Sequence, residues 1–151
     1  MAKSNFQKAV EGTTDIATRY RRGLQALKSS ERGSVVATDT RLLDGSVDID
    51  TAVQEKYPND NRWDYAIGYS GKVCYVEVHP AYTSEVSTIE KKLRWLKGWL
   101  KSNAPALYAI PQATSAFVWV QTGKCGILPG SSQAKRLAAL GIKVTPQHKL
   151  Q

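Results

Sequence analysis

Cysteine is scarce: Cys74 and Cys125 are the only two in 151 residues. They stand far apart, which gives neither a metal-ligand spacing nor a disulfide framework, and both read as reduced thiols. Histidine is as rare, with only His79 and His148, so a structural zinc centre has no donor set. No apolar run approaches the roughly 18–20 residues needed to cross a bilayer. Residues 1–6 lack the apolar core of a signal peptide. The expectation is a cytoplasmic protein without membrane attachment. There is no Gly-rich phosphate loop, no Ser or Cys nucleophile motif, no known DNA-binding module and no internal repeat. Acidic residues are in deficit: 13 Asp and Glu face 21 Lys and Arg, a net charge of +8. That balance favours a polyanionic partner, DNA or RNA. The competing reading is a structural protein whose charge serves only solubility. The length suits one domain that buries about two thirds of its unfolded surface, read as residues 1–145 followed by a polar tail at 146–151.

What is present is a series of patterned segments. In residues 3–29, Phe6, Val10, Ile16, Ala17, Tyr20, Leu24 and Leu27 recur at mostly helical spacing, which predicts helix interrupted at 12–14, with Thr14 capping a second segment. Its polar face would carry Arg19, Arg21, Arg22 and Lys28, solvated or lying along a phosphate backbone; Glu11 is the acid to watch there. Residues 34–38 read as a strand, Asp44-Gly45 as a hairpin turn, and 46–50 as the return strand. Asp44, Ser46, Asp48, Asp50 and Glu55 also fall at calcium-loop positions, but Ile49 stands where that loop needs glycine. Residues 52–57 predict a short helix. Residues 83–103 predict the longest one, its stripe made by Val86, Ile89, Leu93, Leu96 and Leu100, with Ser87 and Glu90 at capping-box spacing. Residues 106–110 and 116–121 read as strands, the second apolar on both faces and therefore central. A helix at 131–140 closed by Gly141 and a strand at 142–144 complete the chain. The order implies an α/β fold with a mixed, largely antiparallel central sheet and flanking helices. Trp95 and Tyr82 remain as exposed aromatic candidates for base stacking.

Residues 62–79 hold the chemistry. Two runs rich in aromatic and β-branched residues flank Ser70-Gly71, a two-residue hairpin turn. Pairing Tyr69 with Lys72 sets Asp64 opposite Glu77. Alternation puts Arg62, Asp64, Tyr75, Glu77 and His79 on one face, and Trp63, Tyr65, Ile67, Cys74, Val76 and Val78 on the other, the core face. Two adjacent carboxylates repel unless something positive lies between them. A divalent cation serves that purpose. So do Arg62 and His79, or plain solvation. His79 with the two carboxylates would also suit Mn²⁺ or Zn²⁺.

With Asp64 and Glu77 on a central hairpin and a long helix after it, the chain resembles the PD-(D/E)XK, or restriction-endonuclease-like, nuclease superfamily over about residues 10–125. The resemblance implies a helix, a three-stranded antiparallel meander, a helix and a further strand, with the acids on the second and third strands holding Mg²⁺. Asp64 matches the first acid, and Glu77-Val78-His79 occupies the (D/E)XK triplet. The Val78 carbonyl would add a ligand. Two departures stand out. Pro58-Asn59-Asp60 is out of register with the motif's Pro-Asp, and His79 replaces the lysine that positions the attacking water. His79 could act as general base or donor, or Lys91 or Lys92 could reach the site from the helix. Otherwise the domain only binds. The implied activity is Mg²⁺- or Mn²⁺-dependent hydrolysis of DNA or RNA, with Asp64, Glu77, His79 and Lys92 as catalytic candidates and Asp64 and Glu77 as metal ligands.

Overall fold

The computed structural model describes residues 2–151. Seven strands and five α-helices make it up: α1 (Asn5–Glu11), β1 (Val35–Ala37), β2 (Leu43–Asp48), α2 (Ile49–Val53), β3 (Tyr65–Tyr69), β4 (Lys72–Pro80), α3 (Val86–Asn103), α4 (Pro105–Tyr108), β5 (Gln112–Thr122), α5 (Ser132–Ala139), β6 (Ile142–Thr145) and β7 (His148–Leu150). The main sheet has the order β2-β3-β4-β5-β6. β2, β3 and β4 pair antiparallel, whereas β4–β5 and β5–β6 are parallel. This is the mixed α/β architecture that the element order implies. Among the described residues no helix is long and apolar enough to cross a membrane.

The β3–β4 hairpin has the expected register, Tyr69 against Lys72 and Tyr65 against Val76. Ser70 (φ 52°) and Gly71 (φ 76°) are both left-handed, the geometry that lets a two-residue turn follow the strand twist. The expected division into one core face and one open face fails. Tyr65, Ile67, Cys74, Val76 and Val78 pack into one core, and Ala66 and Tyr75 are equally buried in another under the helices. Trp63 also lies in this second core, edge-on to Phe117. Strict alternation does not extend to residue 63 because β3 begins at Tyr65.

α3 is as expected, burying Val86, Ile89, Leu93, Leu96, Trp99 and Leu100 on the sheet. Its start differs. A 3-10 turn, Thr83–Glu85, precedes it and no side chain caps it; Glu90 instead bonds Arg136. Residues 106–110 are not a strand, because Pro105 occupies the first helical position and opens α4. β5 is central and runs longer than expected. Ser131 caps α5, accepting from the Ala134 N–H at 3.1 Å.

The amino-terminal half departs most. α1 stops at Gly12, and only a 3-10 turn, Thr14–Ile16, follows. The apolar stripe is divided: Phe6, Val10 and Ile16 enter the helix-side core, while Leu24 and Leu27 enter the opposite one. One helix cannot touch both faces of a sheet, so the chain wraps around its edge, where Arg21 and Ser46 exchange backbone hydrogen bonds of 2.9 Å. Arg19, Arg21, Arg22 and Lys28 therefore share no helical face. Asp44-Gly45 is not a turn but a bulge inside β2. Gly45 has φ 137°, and a Cβ there would come within 2.4 Å of the Tyr20 ring. Residues 148–150 of the expected polar tail form β7, parallel to β1, with His148 and Leu150 buried.

Candidate active site

Asp64 is fixed by its backbone before its side chain acts. Its carbonyl accepts from the N–H of Ile49 at 2.9 Å, which ties it to the start of α2, and its N–H donates to Glu77 Oε2 at 2.6 Å. Its carboxylate Oδ2 accepts from the Val78 N–H at 3.1 Å. The two acids are thus interlocked across the hairpin, each holding the other's neighbourhood. Glu77 sits mid-β4 on the face that α3 covers and is fully buried.

Lys92 comes down from α3 between them. Its Nζ is 2.7 Å from Glu77 Oε1 and 3.9 Å from Asp64 Oδ1. Lys92 and Asp64 side chains keep 17% and 19% exposure, so solvent reaches the cluster through them and not through Glu77. Beyond Asp64 and Glu77, Asp50 and Glu31 add repulsion at Asp64, although Asp50 is paired with Arg62 at 2.7 Å.

These surroundings shift the titrations. Burial, then repulsion from Asp64, pushes Glu77 well above the carboxylate range against the pull of Lys92. Burial raises Asp64 too, with Lys92 and the Val78 N–H opposing. Burial alone would lower Lys92, but the Glu77 and Asp64 charges outweigh it and raise its pKa. Lys92 is therefore a cation at neutral pH. At its observed geometry it can donate to an oxygen but cannot act as a base.

The other sequence candidates are elsewhere. His79 Nε2 lies 3.0 Å from Glu85 Oε2, so its imidazole is engaged with the loop before α3 and not with the acid pair. Arg62 serves Asp50 and the Tyr57 carbonyl. Lys91 is exposed, and Glu11 pairs with Lys3 on the surface. Asp48 caps α2 through the Thr51 N–H and hydroxyl, which leaves the calcium-loop spacing without a loop. Trp95 stacks on Trp99 and donates to Asp60, while Tyr82 is exposed. Glu31 was not singled out by the sequence; its carboxylate accepts from the Tyr65 hydroxyl.

Among the described residues no cluster of three or more His, Cys, Asp or Glu side chains is arranged to hold a metal. The donor set at the site is the two hard carboxylates of Asp64 and Glu77. That suits Mg²⁺, which takes one or two carboxylates and keeps several waters, and it does not suit zinc. Cys74 is buried, its thiol pushed up to about 12 by desolvation, and Cys125 is a free exposed thiol. Comparison with family models, with curated proteins and with solved structures finds no match for this chain.

Proposed function

We propose that the chain is a metal-dependent nuclease-like domain of the restriction-endonuclease-like type, acting on DNA or RNA. Asp64 and Glu77 would hold Mg²⁺ or Mn²⁺, and Lys92 would stand in for the motif lysine that His79 replaces. The observation that supports this is the Lys92 ammonium, 2.7 Å from Glu77 and 3.9 Å from Asp64, so that two acidic side chains converge on one cation. A cation bound there would polarise the phosphoryl group and lower the pKa of a bound water. Lys92, permanently charged, would orient that water or donate to a phosphoryl oxygen as charge develops on it. Asp64 Oδ2 accepts from the Val78 N–H, which leaves Oδ1, 3.9 Å from Lys92, as the oxygen to offer a cation.

One observation favours the same domain without turnover, as a binding module for nucleic acid or protein. Both Glu77 oxygens are satisfied already, Oε1 by Lys92 and Oε2 by the Asp64 N–H. The deciding experiment incubates purified protein with Mg²⁺ or Mn²⁺ and a panel of single-stranded, double-stranded and branched DNA and RNA. The nuclease reading expects cleavage that Glu77→Gln abolishes while nucleic-acid binding survives, since affinity comes chiefly from Lys and Arg contacts to phosphate. No cleavage of any substrate by the wild type leaves the binding module.

A further inference from the structure

A cavity of about 370 Å³ lies on the sheet face opposite α3, at the far end of β4 from Glu77. Lys72 of β4, Lys143 of β6 and Lys149 of β7 line it, together with Thr114 and Ser115. The sheet explains the convergence. Lys72 shares its face with Cys74 two residues on, and Lys143 lies beside Val118 in register, both in the core of that face. None of the three ammonium groups forms an ion pair with a described residue, Gln151 on the rim included. No Asp or Glu of the described residues lines the cavity, although Gln151 does, and its terminal carboxylate offsets part of the lysine charge.

His148 forms part of the wall. It is only 5% exposed, and its Nδ1 is buried without a hydrogen-bond partner. Burial and the nearby Lys143 hold it down to about 4, so it is neutral at pH 7. Tyr69 also lines the cavity, its hydroxyl fixed 3.0 Å from Thr38, with Leu150 and Ala113 adding apolar surface. Three like charges around one space raise the local potential and attract an anion. The volume far exceeds a bare phosphate and falls in the roughly 300–1,000 Å³ range of small-molecule sites.

We propose that this cavity binds an organic phosphomonoester of nucleotide size. Lys72, Lys143 and Lys149 hold the phosphate, and the organic part lies against Tyr69 and Leu150. Such a ligand is either a free nucleotide or the 5′-phosphorylated end of a strand. The site does not depend on the nuclease reading, because it shares no residue with Asp64, Glu77 and Lys92.

The test is calorimetric titration of the intact protein with adenosine 5′-monophosphate, adenosine, inorganic phosphate, and a dinucleotide with and without a 5′-phosphate. Saturable one-to-one binding of the monophosphate is expected, with adenosine and inorganic phosphate far weaker and the His148 imidazole resonances shifted on binding. A phosphorylated dinucleotide that binds more tightly than the monophosphate identifies a strand end as the source; the reverse order identifies a free nucleotide. Lys72→Ala and Lys143→Ala should each weaken binding about tenfold, whereas Lys101→Ala on α3 should leave it unchanged. The proposal is overturned if neither phosphorylated probe saturates by about 10 mM. It is also overturned if inorganic phosphate binds as well as the monophosphate, or if the Lys72 and Lys143 variants bind like the wild type.

Discussion

Asp64→Asn should make the metal-free protein more stable. Asn keeps the size of Asp and can still accept the 3.1 Å bond from the Val78 N–H, and the bond from its own N–H to Glu77 is untouched. What changes is charge. Two carboxylates now share one ammonium; the variant leaves Glu77 and Lys92 balanced at 2.7 Å. At an effective dielectric of about 20, the attraction lost to Lys92 is about 4 kcal/mol, and the repulsion removed from Glu77 is of similar order. Those two largely cancel. What remains is relief of a buried carboxylate's desolvation, the leading cause of the raised Asp64 pKa. A net gain of about 0.5–2 kcal/mol is expected, a rise in Tm of about 1–8 °C for a chain of this length.

Metal reverses the ranking. At a hundredfold excess over Kd, Mg²⁺ should stabilise the wild type by about 2.7 kcal/mol, about 5–11 °C, and Asp64→Asn hardly at all. The pH dependence has a definite sign. Asp64 and Glu77 have folded pKa values above their unfolded ones, so the folded protein holds more protons across that window. Their favourable contribution is full below the ordinary carboxylate range and is lost as pH rises through the folded values. The metal-free wild type should therefore lose Tm between mildly acidic and neutral pH, and the variant should lose less. Scanning fluorimetry at constant ionic strength, with and without Mg²⁺, measures all of this. A lower Tm for metal-free Asp64→Asn, or an equal Mg²⁺ shift in both proteins, refutes the reasoning.

Leu93→Ala should cost about 2–5 kcal/mol in denaturant unfolding, because Leu93 is 2% exposed against the sheet; a near-neutral result would mean that α3 is not anchored there. Gly68→Ala would place a Cβ within 2.5 Å of the Phe6 ring, and overpacking at a buried aromatic should cost about 1–3 kcal/mol in the same assay. If the wild type cleaves, Lys92→Ala should slow single-turnover cleavage about 10²–10³-fold, while His79→Ala should change it by no more than a few-fold; the opposite order would return the role to the imidazole.

The hairpin was legible because its signals are local. Ser70-Gly71 demands left-handed backbone, and the flanking runs supply strand. The stripe of α3 was legible for the same reason: eighteen residues repeat one period. The amino-terminal half was not. Phe6 to Leu27 keep a helical spacing, yet they serve two cores on opposite faces, and only tertiary packing decides which residue goes where. Asp44-Gly45 carries a strong turn signal that the Tyr20 ring and the Arg21 edge pairing convert into a bulge. β7 was hidden because three residues show no periodicity, and its partner β1 lies more than a hundred residues earlier.

That Lys92, and not His79 or Lys91, meets the two acids was nevertheless open to a finer reading of α3. Lys92 stands three residues after Ile89 and four before Leu96, both fully buried. Those are same-face neighbours in an α-helix, so a charged residue interrupts the buried stripe from within. Lys91 belongs to the opposite face. A lysine in that position must either reach solvent along its stem or meet a carboxylate, and the carboxylate it meets is Glu77, itself buried mid-strand. Each charge is tolerable only because of the other, and neither half of the pair is explicable from its own segment. His79 fails the same test. It sits at the strand end, near solvent, with Glu85 six residues away to satisfy it, and nothing about its position requires the acid pair. Alternation puts His79 and Glu77 on one face, but sharing a face along a strand does not bring side chains together when each has a closer partner across it.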